Sequence, residues 1–265
     1  MSAADPTLLC RGLSKTFNKE LPESRPALDR IELRVEPGDF VVLIGGNGAG
    51  KSTLLNTIAG AVTPDQGSLA IAGRDITRLA PHKRAGLVTR VFQDPMIGTA
   101  AAMTIEENLA IAERRGRAHR ARPLLTDKRR AQYRAWLEEL GLGLESRLGT
   151  SVALLSGGQR QALSLLMAVI SQPTLLLLDE HTAALDPRTA DRVMQATLRA
   201  VTERQLTTLM VTHNMSQAIA TGNRLIMMDA GRICYDVRDE EKSALTPEAL
   251  VERFQIDNDR MLLKH

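Results

Sequence analysis

The stretch Gly45-Gly-Asn-Gly-Ala-Gly-Lys-Ser52 constrains this chain more than any other. It fits the pattern G-x-x-x-x-G-K-[ST], with the apolar run Phe40 to Ile44 before it and Leu54, Leu55 and Ile58 after it at helical spacing. Strand, glycine-rich turn and helix in that order make a loop whose amides point inward at a phosphate, with the positive end of the helix behind them. Glycines permit a curl that a Cβ would block. Lys51 is placed to reach the terminal phosphate oxygens of a nucleotide and the Ser52 hydroxyl to join a Mg²⁺ shell. Gly45, Gly46, Asn47, Gly48, Ala49, Gly50, Lys51, Ser52 and Thr53 are therefore the candidate nucleotide residues.

The rest of the chain reads as the α/β layer that such a loop requires. Strands are expected at Leu8 to Phe17, Ile31 to Val35, Phe40 to Ile44, Leu69 to Ile71, Leu87 to Phe92, Leu175 to Leu178, Thr208 to Val211 and Leu225 to Met228, with a last one near Arg232 to Tyr235. Several are unbroken apolar runs, as parallel strands covered on both faces should be. From Asp94 to Leu155 the strand pattern gives way to helical signals. Thr104-Ile-Glu-Glu107 is a capping box opening a helix through Arg115, and Asp127 to Leu140 is a second helix stopped by Gly141. Asp186-Pro187 pairs an N-cap residue with proline at the first helical position, starting a helix to about Arg204.

The 265 residues are 43% hydrophobic and 25% charged, a globular composition, and only 3% aromatic, too few for a base-stacking platform. No apolar run approaches the roughly 18 residues of a membrane span. Cys10 and Cys234 stand far apart without a metal-type cluster, and the first residues carry no basic-then-apolar leader, so a reducing, cytoplasmic setting is expected.

A phosphate loop alone admits kinases, GTPases and ATPases. The guanine-reading N-K-x-D pattern is missing from the sequence. Leu175-Leu-Leu-Leu-Asp179-Glu180 is a buried strand ending in two carboxylates, at the sheet edge where open α/β folds bind ligands. Asp179 suits Mg²⁺, and Glu180 beside it suits a general base for an attacking water. Leu155-Ser156-Gly157-Gly158-Gln159 opens another helix, Ser156 and Gln159 forming a capping box that leaves two bare glycines at a helix N-terminus.

Phosphate loop, LSGGQ and Asp-Glu strand in this order resemble the ATP-binding cassette (ABC) ATPases over about residues 7 to 236. The resemblance implies a P-loop NTPase core with an N-terminal antiparallel β subdomain, an inserted helical subdomain at about 94–160, and a short C-terminal helical tail at 237–265. It assigns Gln93 to the glutamine loop touching Mg²⁺ and water, and His213 to the switch histidine at the γ-phosphate. Ala184-Leu185-Asp186 corresponds to the loop crossing the dimer interface, and Phe17 to the aromatic that stacks on adenine; on its own pattern, Phe17 reads equally as a buried strand residue. The catalytic set is thus Glu180, His213 and Gln93, and the metal set Ser52, Asp179 and Gln93. Most family members have proline after the glutamate, whereas His181 stands here, read as a tolerated loop substitution.

The resemblance further implies ATP and Mg²⁺ as ligands and a head-to-tail dimer closed by ATP, in which Ser156, Gly157, Gly158 and Gln159 meet the nucleotide of the other subunit. The partners implied are permease subunits docking beside the Gln93 to Thr104 segment at the inner membrane's cytoplasmic face and, indirectly, an extracytoplasmic binding protein. Phe92-Gln-Asp-Pro-Met-Ile-Gly-Thr-Ala, His181 and the basic subdomain resemble cassettes of tryptophan/tyrosine-type uptake systems, while phosphonate-like or other small-solute import, and export, share the same motifs. Between Glu113 and Arg134 nine Lys/Arg face two acidic residues, a local +7 within a chain of net +3. That segment reads first as a solvated face, and otherwise as a surface for anionic lipid, a partner or nucleic acid. It keeps open a DNA- or ribosome-associated ABC ATPase as the alternative to a transporter subunit, although no nucleic-acid partner is expected. A small-molecule kinase is opposed by LSGGQ and by Glu180 directly following Asp179.

Overall fold

The computed structural model describes residues 5–20, 24–116 and 125–253. The chain divides into two compact units, Met1–Ala80 with Thr207–His265, and Pro81–Leu206.

In the first unit, β1 (Leu8–Thr16), β2 (Pro26–Val35), β4 (Gln66–Ile71) and β5 (Arg74–Asp75) form an antiparallel sheet in the order β2-β1-β4-β5. Strict alternation explains its single buried face: Ile31, Leu33 and Val35 point inward while Glu32 and Arg34 face solvent. Beside it β3 (Phe40–Gly45) pairs in parallel with both β8 (Thr208–Val211) and β9 (Arg224–Asp229), and β10 (Arg232–Arg238) returns antiparallel to β9. Every residue of β3 and β8 is buried, which is why both read as unbroken apolar runs. Helix α1 (Lys51–Ala59) follows β3 and buries Leu54, Leu55 and Ile58. The short helix α7 (Met215–Ala220) follows β8, and α8 (Asp239–Ser243) follows β10. The Lys242 ammonium ties α8 back to α7 by donating to the carbonyls of Ile219, Thr221 and Gly222. Residues 247–253 are helical as well, and the remainder of the expected tail, 254–265, lies outside the described residues.

In the second unit β6 (Val88–Val91) and β7 (Leu175–Asp179) run parallel, Val88 opposite Leu175 and Arg90 opposite Leu177. The helices are α2 (Pro81–Arg84), α3 (Ile105–Glu113), α4 (Asp127–Glu138), α5 (Gly157–Val169) and α6 (Pro187–Glu203). From Arg160 to Val169 every residue of α5 is buried, the pattern of a helix packed on all sides. Helix α6 buries a stripe at Val193, Met194, Ala196, Thr197 and Val201.

The capping boxes at Thr104 and Ser156 and the Asp186 cap with Pro187 behind it are all present. Most strand bounds move by one to three residues, β4 beginning at Gln66 and β10 running on to Arg238, and two of the shifts concern β1 and β2. β1 stops at Thr16, leaving Phe17 beyond its end. β2 begins at Pro26, five positions ahead of the expected Ile31, because Pro26 and Leu28 pair with Thr16 and Lys15 although the segment lacks an apolar alternation. Of the basic segment, Arg117, Arg120 and Arg122 lie outside the described residues. Its C-terminal part is partly neutralised from α3: Arg130 pairs with Glu106, and Arg129 pairs with Glu113, which also accepts the Tyr133 hydroxyl at 2.8 Å.

Candidate functional site

The phosphate loop lies in the first unit, between β3 and α1. Gly50, the N-cap of α1, is left-handed with φ of 101°, and no side chain caps the helix, so its first amides are left to the loop. A Cβ on Gly50 would collide with the Ala27 carbonyl oxygen, and one on Gly45 with that of Met228. The curl is therefore wedged between neighbouring backbones. Lys51 is only 6% exposed, and its ammonium donates to Gly45 O at 2.7 Å and Gly46 O at 3.0 Å. A positive charge is held inside a ring of outward-facing Gly46, Asn47 and Gly48, with Ser52 exposed beside it. This cradle fits a polyphosphate.

Phe17 is 46% exposed, with the Lys15 ammonium 5.5 Å from its ring centroid. Of the two readings open for Phe17, the buried strand residue is excluded, because β1 ends one residue earlier. Its surroundings are fixed by Asp65, which accepts the Thr16 amide at 2.8 Å and pairs with Lys15 and Lys19. Those contacts, the Thr16 amide first, hold the Asp65 carboxyl down to about 2. His213 is exposed in the turn between β8 and α7. The turn is braced on both sides of it: Thr212 Oγ1 donates to Gln217 Oε1 at 2.7 Å, and the Asn214 side chain accepts the Gln217 amide at 2.9 Å.

In the second unit Asp179 closes β7 and Glu180 follows with φ of 47°. A left-handed glutamate is rare, and such backbone persists only where its surroundings over-determine it. The Ala183 amide closes the turn on Glu180 O at 2.9 Å, and His181 follows in it. His181 is 2% exposed, and its Nε2 lies 3.0 Å from Thr197 Oγ1 on α6. The Thr197 hydroxyl spends its proton on Val193 O at 2.8 Å, so it accepts from the imidazole, which is the neutral Nε2–H tautomer. The residue read as a tolerated loop substitution is instead a buried anchor that pins the turn after Glu180 to α6. Burial pushes its pKa down to about 4 from 6.5.

The sign of the resulting pH dependence follows from linkage. Between about pH 6.5 and 4 the unfolded chain takes a proton that the folded chain refuses, so stability falls as pH falls, by on the order of 2 kcal/mol at pH 5. Urea unfolding at pH 7.5 and 5.0 is expected to show this loss in the native chain and a smaller loss in His181→Asn. Equal losses in the two would contradict a buried neutral imidazole.

The Asp179 carboxylate receives the Arg90 guanidinium from β6. Among the described residues there is no group of three or more His, Cys, Asp or Glu able to hold a metal. Mg²⁺ takes oxygen donors and leaves most of its shell to phosphates and water, so the Asp179 carboxylate in this unit and the exposed Ser52 hydroxyl in the first are each of a kind that fits that ion. Gln93 is exposed two residues beyond β6, and the preceding carbonyl, Phe92 O, accepts Gln161 Nε2 from α5 at 2.9 Å.

Ser156 caps α5 as an exposed residue: its hydroxyl accepts the Gln159 amide at 3.2 Å, and Gln159 Oε1 accepts the Ser156 amide at 3.3 Å. Gly157 is exposed, whereas Gly158 is buried against Thr189, where a Cβ would strike the threonine methyl. Asp186 accepts the Thr189 amide at 3.1 Å as the cap of α6, and hydrogen bonds from Thr189, its side chain first and then its amide, lower the Asp186 pKa. The sequence pattern did not reveal a group of exposed apolar side chains in this unit, Met96, Ile97, Ile111 and Leu154. Two lie in the 94–103 segment, which is knitted into place. Asn108 holds both polar groups of Ala100, and Ala101 O and Met103 O accept from Ala153 N and Val152 N.

Residues 28–183 match the family described as ABC transporter. The tyrosine transport ATP-binding protein of Clostridioides difficile is 44% identical over 248 residues, covering 94% of this chain and 98% of that protein. The sulfate/thiosulfate import ATP-binding protein of Chromobacterium violaceum is 38% identical over 212 residues, and the chain spans 53% of its length. A dimeric ATP-binding cassette in a post-hydrolysis state bound to ADP and Pi superposes with a TM-score of 0.73 at 25% identity, over 87% of this chain and 98% of that one.

Proposed function

The chain belongs to the ABC transporter family, and on that premise we propose that it is the ATP-hydrolysing subunit of a binding-protein-dependent importer of an amino acid or similarly small solute. The family makes it an ATPase with ATP and Mg²⁺ as its ligands. The observation that supports amino-acid uptake is the likeness to a tyrosine transport protein along nearly the whole of both chains.

The roles divide as follows. The amides of residues 45–53 and the Lys51 ammonium bind the phosphates, and Phe17 offers its exposed ring to the base. Ser52 and Asp179 are the residues that would hold Mg²⁺, which would supply neutralisation of charge on the phosphate oxygens. Glu180, held by the His181 anchor, accepts the proton of the attacking water, with Gln93 and His213 orienting water and γ-phosphate. Ser156 and the N-terminus of α5 complete the site of a second copy across a twofold axis, with Asp186 in the loop between copies.

No helix among the described residues is long and apolar enough to cross a membrane. In this reading the passage is built by separate permease subunits, and a cytoplasmic helix of the permease docks on the exposed Met96 and Ile97. Apolar side chains held out on a hydrogen-bonded segment form a rigid surface, which costs less ordering on docking than a mobile one. The extracytoplasmic binding protein and the cytoplasmic face of the membrane belong to the same proposal.

The test is uptake. Cells lacking this chain are expected to lose most high-affinity uptake of radiolabelled tyrosine or tryptophan. The native chain should restore it, and Ile97→Asp should not, although the isolated variant keeps its basal ATPase. Undiminished uptake of both amino acids would overturn the solute class. Steep, salt-sensitive stimulation of the ATPase by duplex DNA would instead favour the DNA-associated alternative.

A further inference from the structure

We propose that Arg90 is a built-in counter-cation for Asp179, which prevents the carboxylate from capturing a divalent ion on its own, so that metal enters the site only together with nucleotide. The inference rests on the reading of Asp179 as metal-facing. It begins with an anomaly in the sheet. β6 is four residues long, its neighbours Val88, Thr89 and Val91 are buried, and a charged residue in such a strand calls for a partner.

The parallel register supplies one. Arg90 sits opposite Leu177, two residues short of Asp179, and its Nη2 donates to Asp179 Oδ2. The two side chains are 10% and 15% exposed, so solvent screens the pair poorly. The guanidinium also lies over the Phe92 ring, 4.7 Å from its centroid, a cation–π contact it would forfeit by swinging away. Arginine does not deprotonate in proteins, so this charge is permanent. With one carboxylate already neutralised and no cluster of three or more acidic, His or Cys ligands among the described residues, the protein alone offers a poor metal site. A metal–nucleotide complex brings its own phosphate oxygens and does not depend on that carboxylate alone.

Mn²⁺ is the probe, followed by electron paramagnetic resonance on the full chain. Without nucleotide, the native chain is expected to bind Mn²⁺ at this site at least about tenfold more weakly than Arg90→Gln, while Arg90→Lys, which keeps the charge, behaves like the native chain. Adding Asp179→Asn to Arg90→Gln should abolish the gain. A folded Arg90→Gln that binds Mn²⁺ no better than the native chain, or less well, overturns the proposal. Should that variant fail to fold, Arg90→Met fills similar space without charge and carries the same expectation. The underlying metal reading is tested separately, with ATP present: if Asp179→Asn leaves Mn²⁺–ATP affinity unchanged, that reading fails. If Asp179→Asn weakens it and the Arg90 variants gain nothing, the counter-cation proposal alone fails.

Discussion

A Glu180→Gln chain is expected to bind Mg-ATP as the native chain does and to hydrolyse it at least about 10²-fold more slowly. The glutamate is the first residue beyond β7, in a left-handed turn with φ of 47°, closed by the Ala183 amide donating to Glu180 O at 2.9 Å. Glutamine has the same length and the same tolerance for that turn, so neither the backbone nor the His181 anchor need change. What is lost is the capacity to accept a proton from water in the transition state. Phosphate release measured beside equilibrium ATP binding separates the two effects. A normal turnover rate would place the general base elsewhere.

Lys51→Ala is the second large effect. The native ammonium is nearly buried and tied to two loop carbonyls at 2.7 and 3.0 Å, so it is already positioned for a phosphate rather than extended into solvent. Charge-assisted hydrogen bonds contribute about 1.5–3 kcal/mol each, and losing even one lowers affinity by roughly one to two orders of magnitude. Calorimetry on the folded variant should therefore show ATP affinity reduced at least tenfold. Unchanged affinity would remove Lys51 from the nucleotide site. The wedged Gly45 and Gly50 keep the loop's shape independent of this side chain, which makes the charge the variable under test.

The parts of this molecule that were legible in its sequence are those whose determinants lie within a few residues of one another. Thr104 with Glu107, Ser156 with Gln159 and Asp186 with Thr189 are contacts three residues apart, so the caps and helix starts could be read directly. The buried β3 and β8 announce themselves by composition. Contacts across long stretches of chain left no local signal. His181 meets Thr197 sixteen positions on, and Arg90 meets Asp179 eighty-nine positions on. Neither the buried anchor behind Glu180 nor the guanidinium on Asp179 could be anticipated from residue types alone.

Short elements were missed for a related reason. β5, α2, α7 and α8 have two to six residues each, too few for periodicity to show. The basic segment illustrates the converse error. Counted along the chain it is a strong positive run even with Glu113 and Asp127 subtracted, but folding brings Glu106 from outside the run against Arg130. Charge counted in sequence overstates the field that a partner would meet there.

In the proposed dimer two copies of this chain share their ATP, the α5 N-terminus of one completing the site of the other. Sedimentation equilibrium on Glu180→Gln, which holds ATP without consuming it, tests this most directly. A doubling of mass is expected with Mg-ATP, a monomer with Mg-ADP, and a monomer under both conditions when Ser156→Arg is added, since that side chain would place bulk and a cation where the opposite γ-phosphate must sit. A dimer that forms equally with ADP, or one that survives Ser156→Arg, would contradict it.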